Sequence, residues 1–430
     1  MRTFVSSRCI LPLALFALLA PAARTAEPAP KAIRPESRFE LPATDDGLPG
    51  AGPVRRYEWF QNLWRDRRSG WAKRVQQDQG AIVFLGDSIT QGWTELGAVF
   101  PGTKVANRGI SGDTTRGVLI RLQEDVLALN PRGIVLLIGT NDLEEQATPE
   151  TITGNLKLIL AALRQHNPAL PVVLCQVFPS SAAKKRPAEQ IRKINQLYHA
   201  AVKDEPQVTM LETHALFADA QGDAKPGEFP DLLHPNRIGY AKWLAALRPM
   251  LEFSGMIPAW PDNFTAEPGF VNLFNGRDLT GWGYPDGTTF DGKDASTDGR
   301  FVARNGRLIV TVSRAERKTL RVVTKQAFPR DFVLKLEFRA SPNADSGIYI
   351  REPQLQCRDY LIAGPFSDLK HYRPLDWNEV VVTVKGGLAH ATCNGEVLID
   401  AMPVPATGPI GLESDRGQME YRRLRLQELR

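Results

Sequence analysis

One pattern in the first half of the chain restricts its fold more than any other. Short apolar runs at 81–85 (AIVFL), 133–138 (GIVLLI), 171–177 (PVVLCQV) and 207–211 (QVTML) alternate with segments of helical periodicity such as TTRGVLIRLQEDVLALN and TITGNLKLILAALRQHN. A strand that is apolar at successive positions must be buried on both faces, and amphipathic helices between such strands cover a sheet on both sides. Residues 57–253 therefore predict an α/β domain with a doubly wound parallel sheet, including a fifth strand near Lys104 to Asn107.

The pattern changes beyond a proline-containing bridge. From about residue 268, segments such as RLIVTVS, DFVLKLEFRAS, GIYIRE and NEVVVTVKGG alternate in polarity between Gly, Asn, Pro and Asp, which predicts an antiparallel jelly roll or sandwich. A length of 430 residues agrees with two cores rather than one. The expected division is 57–253 and 268–430, joined by a linker at 254–267. A Pro-, Gly- and Ala-rich segment at 27–56 reads as a flexible or draped linker.

Residues 1–26 place arginines before an apolar run followed by small residues, the layout of a secretory signal peptide, and the run is shorter than the ~20 residues of a membrane span. The expected location is secreted or periplasmic, with no stable membrane insertion after signal removal. Those residues hold three arginines and no acid, so removing them lowers the formal charge from +5 to +2. A balance that close to neutral gives no reason to expect nucleic acid as a partner, and the basic stretch from Arg314 to Lys318 reads as a solvated face. Cys175, Cys357 and Cys393 are odd in number and far apart. They form no disulfide framework, and either a Cys357–Cys393 pair or buried thiols remain open.

Ligands of an open α/β sheet bind beyond the carboxyl ends of its strands. Four groups fall there: Gly86-Asp87-Ser88, NRGISGDTT with Gly109, Gly112 and Asp113, Gly139-Thr140-Asn141-Asp142, and Asp231-Leu-Leu-His234 ahead of the last helix. Each alone has a plain structural use. Asp87, Ser88, Asp113 and Thr114 suit helix N-caps, Asn141 and Asp142 suit turns, and Asp231 suits a turn before Pro235. Together they supply the parts of serine acyl transfer. A serine hydroxyl needs an imidazole to accept its proton and an acid to orient that imidazole, and His234 with Asp231 offers both within one turn. The developing oxyanion needs donors already aimed at it, and the amides of Ser88 and Gly112 with the Asn141 side chain are available. His214, in LETHALF, is the one serious rival base, with no acid three residues before it. No HExxH, His/Cys cluster or phosphate loop occurs, so no metal or cofactor is expected.

These blocks resemble those of the SGNH, or GDSL-like, hydrolase family: GDSIT with Ser88, GISGDTT with Gly112, GTND with Asn141, and DLLH with Asp231 and His234. The resemblance implies a flavodoxin-like fold and an esterase, exported by the leader read above, that removes acyl groups, acetyl first, from an acylated polysaccharide or oligosaccharide. It implies Ser88 as nucleophile, Asp231 and His234 as its partners, and Ser88, Gly112 and Asn141 as oxyanion donors. Within the family, GISGDTTRGVLIRL is similar to the branch of the platelet-activating-factor acetylhydrolase subunits and many bacterial carbohydrate esterases. A lipase or thioesterase ranks lower. Thr90 stands where the G-x-S-x-G elbow of α/β-hydrolases has its second glycine.

The remainder resembles the 3-keto-disaccharide hydrolase domain, through FVNLFNGRDLTGW, LEFRASPNADSGIYIR, DWNEVVVTVKG and GPIGLESDRGQMEYRRLRLQEL. That resemblance implies a concanavalin-like jelly roll with a glycan-facing set of Glu337, Asp345, Ser346, Tyr349, Arg351, Gln356 and Asp359 on a concave sheet. Where the family commonly has an acid two positions before its Q-x-x-D glutamine, this chain has Gln354, and a neutral amide is no general base. Three readings follow: an esterase with a glycan-holding partner, a bifunctional esterase and 3-keto-glycoside hydrolase, or a glycan-binding protein with a vestigial esterase. Trp282 and Trp377 read first as core and second as sugar platforms. DGKDASTDG does not have the spacing of a calcium loop.

Overall fold

The computed structural model describes residues 38–260, 262–311, 320–359 and 366–429. The expected signal peptide, residues 27–37 and Arg314 to Lys318 lie outside them. In the first half, strands β1 (Ile82–Gly86), β2 (Val105–Gly109), β3 (Gly133–Leu137), β4 (Val172–Cys175) and β5 (Val208–Leu211) form a parallel sheet in the order 2-1-3-4-5. This is the flavodoxin-like order, with its switch point between β1 and β3. The helices are α1 (Glu58–Ala72), α2 (Ser88–Gln91), α3 (Leu96–Val99), α4 (Thr115–Asp125), α5 (Thr140–Glu144), α6 (Pro149–His166), α7 (Ala188–Val202), α8 (Thr213–Phe217) and α9 (Arg237–Phe253).

The continuous apolar runs are explained by two cores that share one sheet. Val83, Leu85, Ile134 and Leu136 pack with Val118, Leu156 and Ile194 of α4, α6 and α7. Their strand neighbours Ile82, Phe84 and Val135 point the other way, into a core with Trp93 and with Trp243 and Leu247 of α9.

The second half is a sandwich of antiparallel sheets. One sheet orders its strands Gln354–Arg358, Asp345–Ile350, Ile410–Ser414, Leu320–Thr324 and Trp282–Gly283. The larger orders Glu396–Pro403, Leu388–Cys393, Asn378–Lys385, Phe332–Ala340, Met419–Glu428, Arg307–Val310 and Phe301–Arg304. Trp282 belongs to the shared core, fully buried, with Nε1 donating to the Leu273 carbonyl at 2.8 Å. Cys175, Cys357 and Cys393 are buried free thiols, so the Cys357–Cys393 pair left open by the sequence is not formed.

Neither linker hangs loose where it is described. Arg116 of α4 donates to Asp45 and to the Gly52 carbonyl, each at 2.7 Å, and Asn155 of α6 bonds both the amide and the carbonyl of Ala51. The segment ahead of α1 is therefore draped over α4 and α6. The bridge at 254–267 is pinned to the strand Met419–Glu428, where Arg423 holds Asp262 at 2.9 Å and Arg425 holds Glu267 at 2.6 Å. The halves also meet directly. Glu252, at the end of α9 and 1% exposed, takes Arg307 at 2.5 Å and Arg339 at 3.2 Å, while Glu420 takes Arg339 at 2.6 Å. Trp377 lies beneath these guanidinium groups, 5.5 Å from Arg307 and 4.9 Å from Arg339, so it serves the junction between the halves.

Candidate active site

Ser88 opens α2 immediately after β1. The Asp87 side chain caps that turn by accepting from the Ile89 amide at 2.9 Å. The backbone here is close-packed: a Cβ on Gly86 would lie 2.3 Å from the Leu137 carbonyl oxygen, and one on Gly109 would lie 2.3 Å from the Gln91 amide nitrogen. Only glycine at both places lets α2 seat against the ends of β2 and β3. Capping and display are thus compatible, because Asp87 does the capping and the Ser88 hydroxyl is left to point outward.

Ser88 Oγ lies 2.9 Å from His234 Nε2, and His234 Nδ1 lies 2.8 Å from Asp231 Oδ2. The turn carrying the last two is stiff: Asp231 Oδ1 accepts from the amides of Leu233 and His234, Leu232 takes a left-handed φ of 61°, and Ser180 Oγ donates to the Leu232 carbonyl. Asn236 then caps α9 through the Ile238 and Gly239 amides. Burial acts to raise Asp231, but the hydrogen bonds from His234 and Leu233 outweigh it and hold the carboxyl at about 2. It therefore stays ionised beside the imidazole through any working pH.

Gly112 and Asn141 border the same cleft of about 360 Å³ as Ser88 and His234. Gly112 sits at φ 87°, with Trp59 so close that a Cβ would come 2.7 Å from the indole. Asn141 is fixed from both ends of its amide: Nδ2 donates to the Asp113 carbonyl at 3.0 Å, and Oδ1 accepts from Arg186 at 2.9 Å. That pairing leaves the second Nδ2 hydrogen for a ligand. A hydroxyl in line with an imidazole and a carboxylate, with amide donors around one cleft, is an arrangement that can transfer an acyl group through a tetrahedral oxyanion.

Beneath the cleft lies a buried polar floor. Arg121, fully buried, bonds Asp113 at 2.8 Å and also reaches the carbonyls of Gly86 and Arg108, tying together the ends of β1 and β2. Asp142 accepts from the Thr115 amide and hydroxyl, yet burial lifts its carboxyl to about 7. Burial likewise lifts Asp87 to about 6. His214 is elsewhere, in a second cleft with Gln176, Glu212 and Asn343. Burial lowers it to about 4, and the imidazole bonded to Ser88 is His234.

Sequence reading did not find Arg55, Trp59, Glu144 or Arg186, all of which line the cleft. Arg186 showed nothing beyond preceding a proline. Trp59 had one available signal, an aromatic pair at the start of an amphipathic helix, with Tyr57 and Trp59 both about half exposed.

The glycan-facing set of the second half needs correction. Glu337 lies on the larger sheet, bonded to Arg422 and Arg423 near the bridge, away from the strands that carry the others. Ser346 points into the core, donating to the Glu413 carbonyl and meeting the Tyr421 hydroxyl at 2.7 Å. Arg351 donates to the carbonyls of Pro405 and Arg330, and Asp359 accepts from the Asn343 amide. Strand alternation explains Ser346, which falls on the inner face of the strand at 345–350, whereas Glu337 belongs to the other sheet and Arg351 and Asp359 stand just past strand ends. Asp345, Tyr349 and Gln356 do share an outer face. There Tyr349 and Gln354 both bond Glu413, and Gln356 bonds Asp345 at 2.5 Å. Two of the three acids of DGKDASTDG are engaged by the protein, Asp291 with Lys325 and Asp298 with Tyr284.

Residues 84–242 match the GDSL-like lipase/acylhydrolase family, and residues 269–427 match a 3-keto-alpha-glucoside-1,2-lyase-like domain. The chain is 31% identical over 195 residues to the platelet-activating factor acetylhydrolase IB subunit alpha1 of Bos taurus, covering 44% of this chain and 82% of that one. A solved GDSL-like lipase of Bacteroides thetaiotaomicron aligns with 44% of this chain and 99% of its own, at 22% identity and a TM-score of 0.39. A proposed glycosyl hydrolase of Parabacteroides distasonis aligns with 39% of this chain and 100% of its own, at 16% identity and a TM-score of 0.32.

Proposed function

We propose that this chain, which belongs to the GDSL-like lipase/acylhydrolase family through its first domain, is an exported esterase that removes short acyl groups, acetyl first, from a carbohydrate. The observation that carries the reading is the hydrogen-bonded line from Ser88 through His234 to Asp231, with Gly112 and Asn141 on the same cleft. Ser88 Oγ attacks the ester carbonyl as His234 Nε2 takes its proton, and the oxyanion is held by the amides of Ser88 and Gly112 and by Asn141 Nδ2. His234 returns the proton to the leaving alcohol, and water repeats the sequence on the acyl-enzyme. Asp231 keeps the imidazole in the tautomer that accepts at Nε2.

A carbohydrate substrate is supported by the second domain, whose outer face of Tyr349, Gln354, Gln356 and Glu413 presents the amides, acid and aromatic ring that sugars bind. The leader-like first 26 residues support export. Replacing Ser88 by Ala is expected to lower kcat on p-nitrophenyl acetate by at least about 10³-fold. Turnover within a few-fold of the unaltered protein would overturn the reading.

A further inference from the structure

The rim of the cleft carries more positive charge than its own acids neutralise. Arg55, Lys184, Lys185 and Arg186 all line it. Arg55 is paired with Glu144 and Glu145, and Arg186 with Glu144, so those two guanidinium groups are balanced within the protein. Asp231 is engaged by His234. The amines of Lys184 and Lys185 have no hydrogen-bond or ion-pair partner among the described residues.

The backbone that carries these lysines is held in place. The Ser181 carbonyl accepts from the amides of both Lys184 and Arg186, and the Lys185 amide donates to Ala182. Arg186 locks the turn from within, donating to the Lys184 carbonyl at 2.6 Å while its other nitrogens hold the Thr140 carbonyl and Asn141 Oδ1. The loop that carries the two amines is therefore tied to the same amide that faces the oxyanion position. Lys185 sits at φ 59°, a left-handed backbone that glycine or asparagine would occupy with less strain. Elsewhere on the rim Trp59 is half exposed, lies against Gly112 and stacks in parallel with Tyr57 at 6.4 Å, offering a flat apolar surface to a ligand.

Resting on the esterase reading above, we propose that the ester attacked by Ser88 is carried on an acidic saccharide. Its ring lies against Trp59, and its carboxylate or sulfate is held by Lys184 and Lys185. The amines select the alcohol half of the ester and leave the acyl group to the Ser88 side of the cleft.

The test compares kcat/KM of the full chain on an O-acetylated oligouronate, an O-acetylated sulfated oligosaccharide and an O-acetylated neutral oligosaccharide, at low and high salt. The expected result is a preference of roughly tenfold for at least one acidic substrate at low salt, shrinking as salt screens the amines. Whichever acidic substrate is preferred identifies the anion. The double variant K184Q/K185G, in which glycine suits the left-handed position, is expected to bring the acidic-to-neutral ratio close to one. Because each protein serves as its own reference, a general loss of activity does not move that ratio. Equal rates on all three substrates, or a preference that survives in the variant or in high salt, would overturn the proposal. If the unaltered protein also fails on p-nitrophenyl acetate, the esterase reading itself is what has failed.

Discussion

At the scale of single residues, the proposed chemistry depends on how firmly each donor is held before a substrate arrives. Asn141 is the clearest case, since its amide is gripped at Oδ1 by Arg186 and at Nδ2 by the Asp113 carbonyl. Replacing Asn141 by Ala is expected to lower kcat on p-nitrophenyl acetate by about 10²- to 10³-fold with a much smaller change in KM, because the bond it supplies strengthens only as the oxyanion forms. Steady-state kinetics separates the two constants. Ser88, Gly112, Asn141, Asp231 and His234 were legible in the sequence because each falls where a strand ends or a helix begins, and there the residue types are informative. Arg186 was not, because its role lies in a three-way contact between a loop, Asn141 and Glu144 that sequence spacing does not encode.

At the scale of elements, α4 shows both what periodicity tells and where it stops. Val118 and Leu122 mark its buried face, and Arg121 and Asp125 fall on that same face. A charged residue inside an apolar stripe announces a buried ion pair, but its partners, Asp113 for Arg121 and Arg68 for Asp125, come from other elements. Asp142 at the start of α5 faces the same helix through Thr115, and its titration gives a prediction of definite sign. Burial holds its folded value near 7, above the ordinary 3.8, so between those limits the folded protein binds a proton that the unfolded chain does not. Stability from this group therefore rises as pH falls through 7. Asp142→Asn removes the titration. The stability advantage of the unaltered protein over this variant should grow by roughly 1–2 kcal/mol between pH 7 and pH 5 in urea unfolding. A gap that is constant or narrows would contradict the buried-carboxyl account.

At the scale of the whole molecule, the halves were legible as separate folds, but their joining was not. The sequence marked 254–267 as a linker because of its prolines, whereas the structure binds it along the strand Met419–Glu428 through acids that meet an arginine row. Nothing in either half's own pattern reveals that Glu252 completes a buried cluster with Arg307, Arg339 and Glu420. Glu252→Ala leaves two buried guanidinium groups with one carboxylate. It is expected to destabilise the protein by roughly 3–5 kcal/mol in urea unfolding and to loosen the coupling between the halves. A loss within about 0.5 kcal/mol would mean the cluster contributes little to the junction. The three buried thiols carry a different consequence, one of durability. Burial pushes Cys175 and Cys393 up to about 12 and Cys357 well above the ordinary thiol value, so the reactive thiolate is all but absent from these three side chains. In the oxidising setting that the proposed export implies, these side chains stay chemically silent for as long as the chain stays folded.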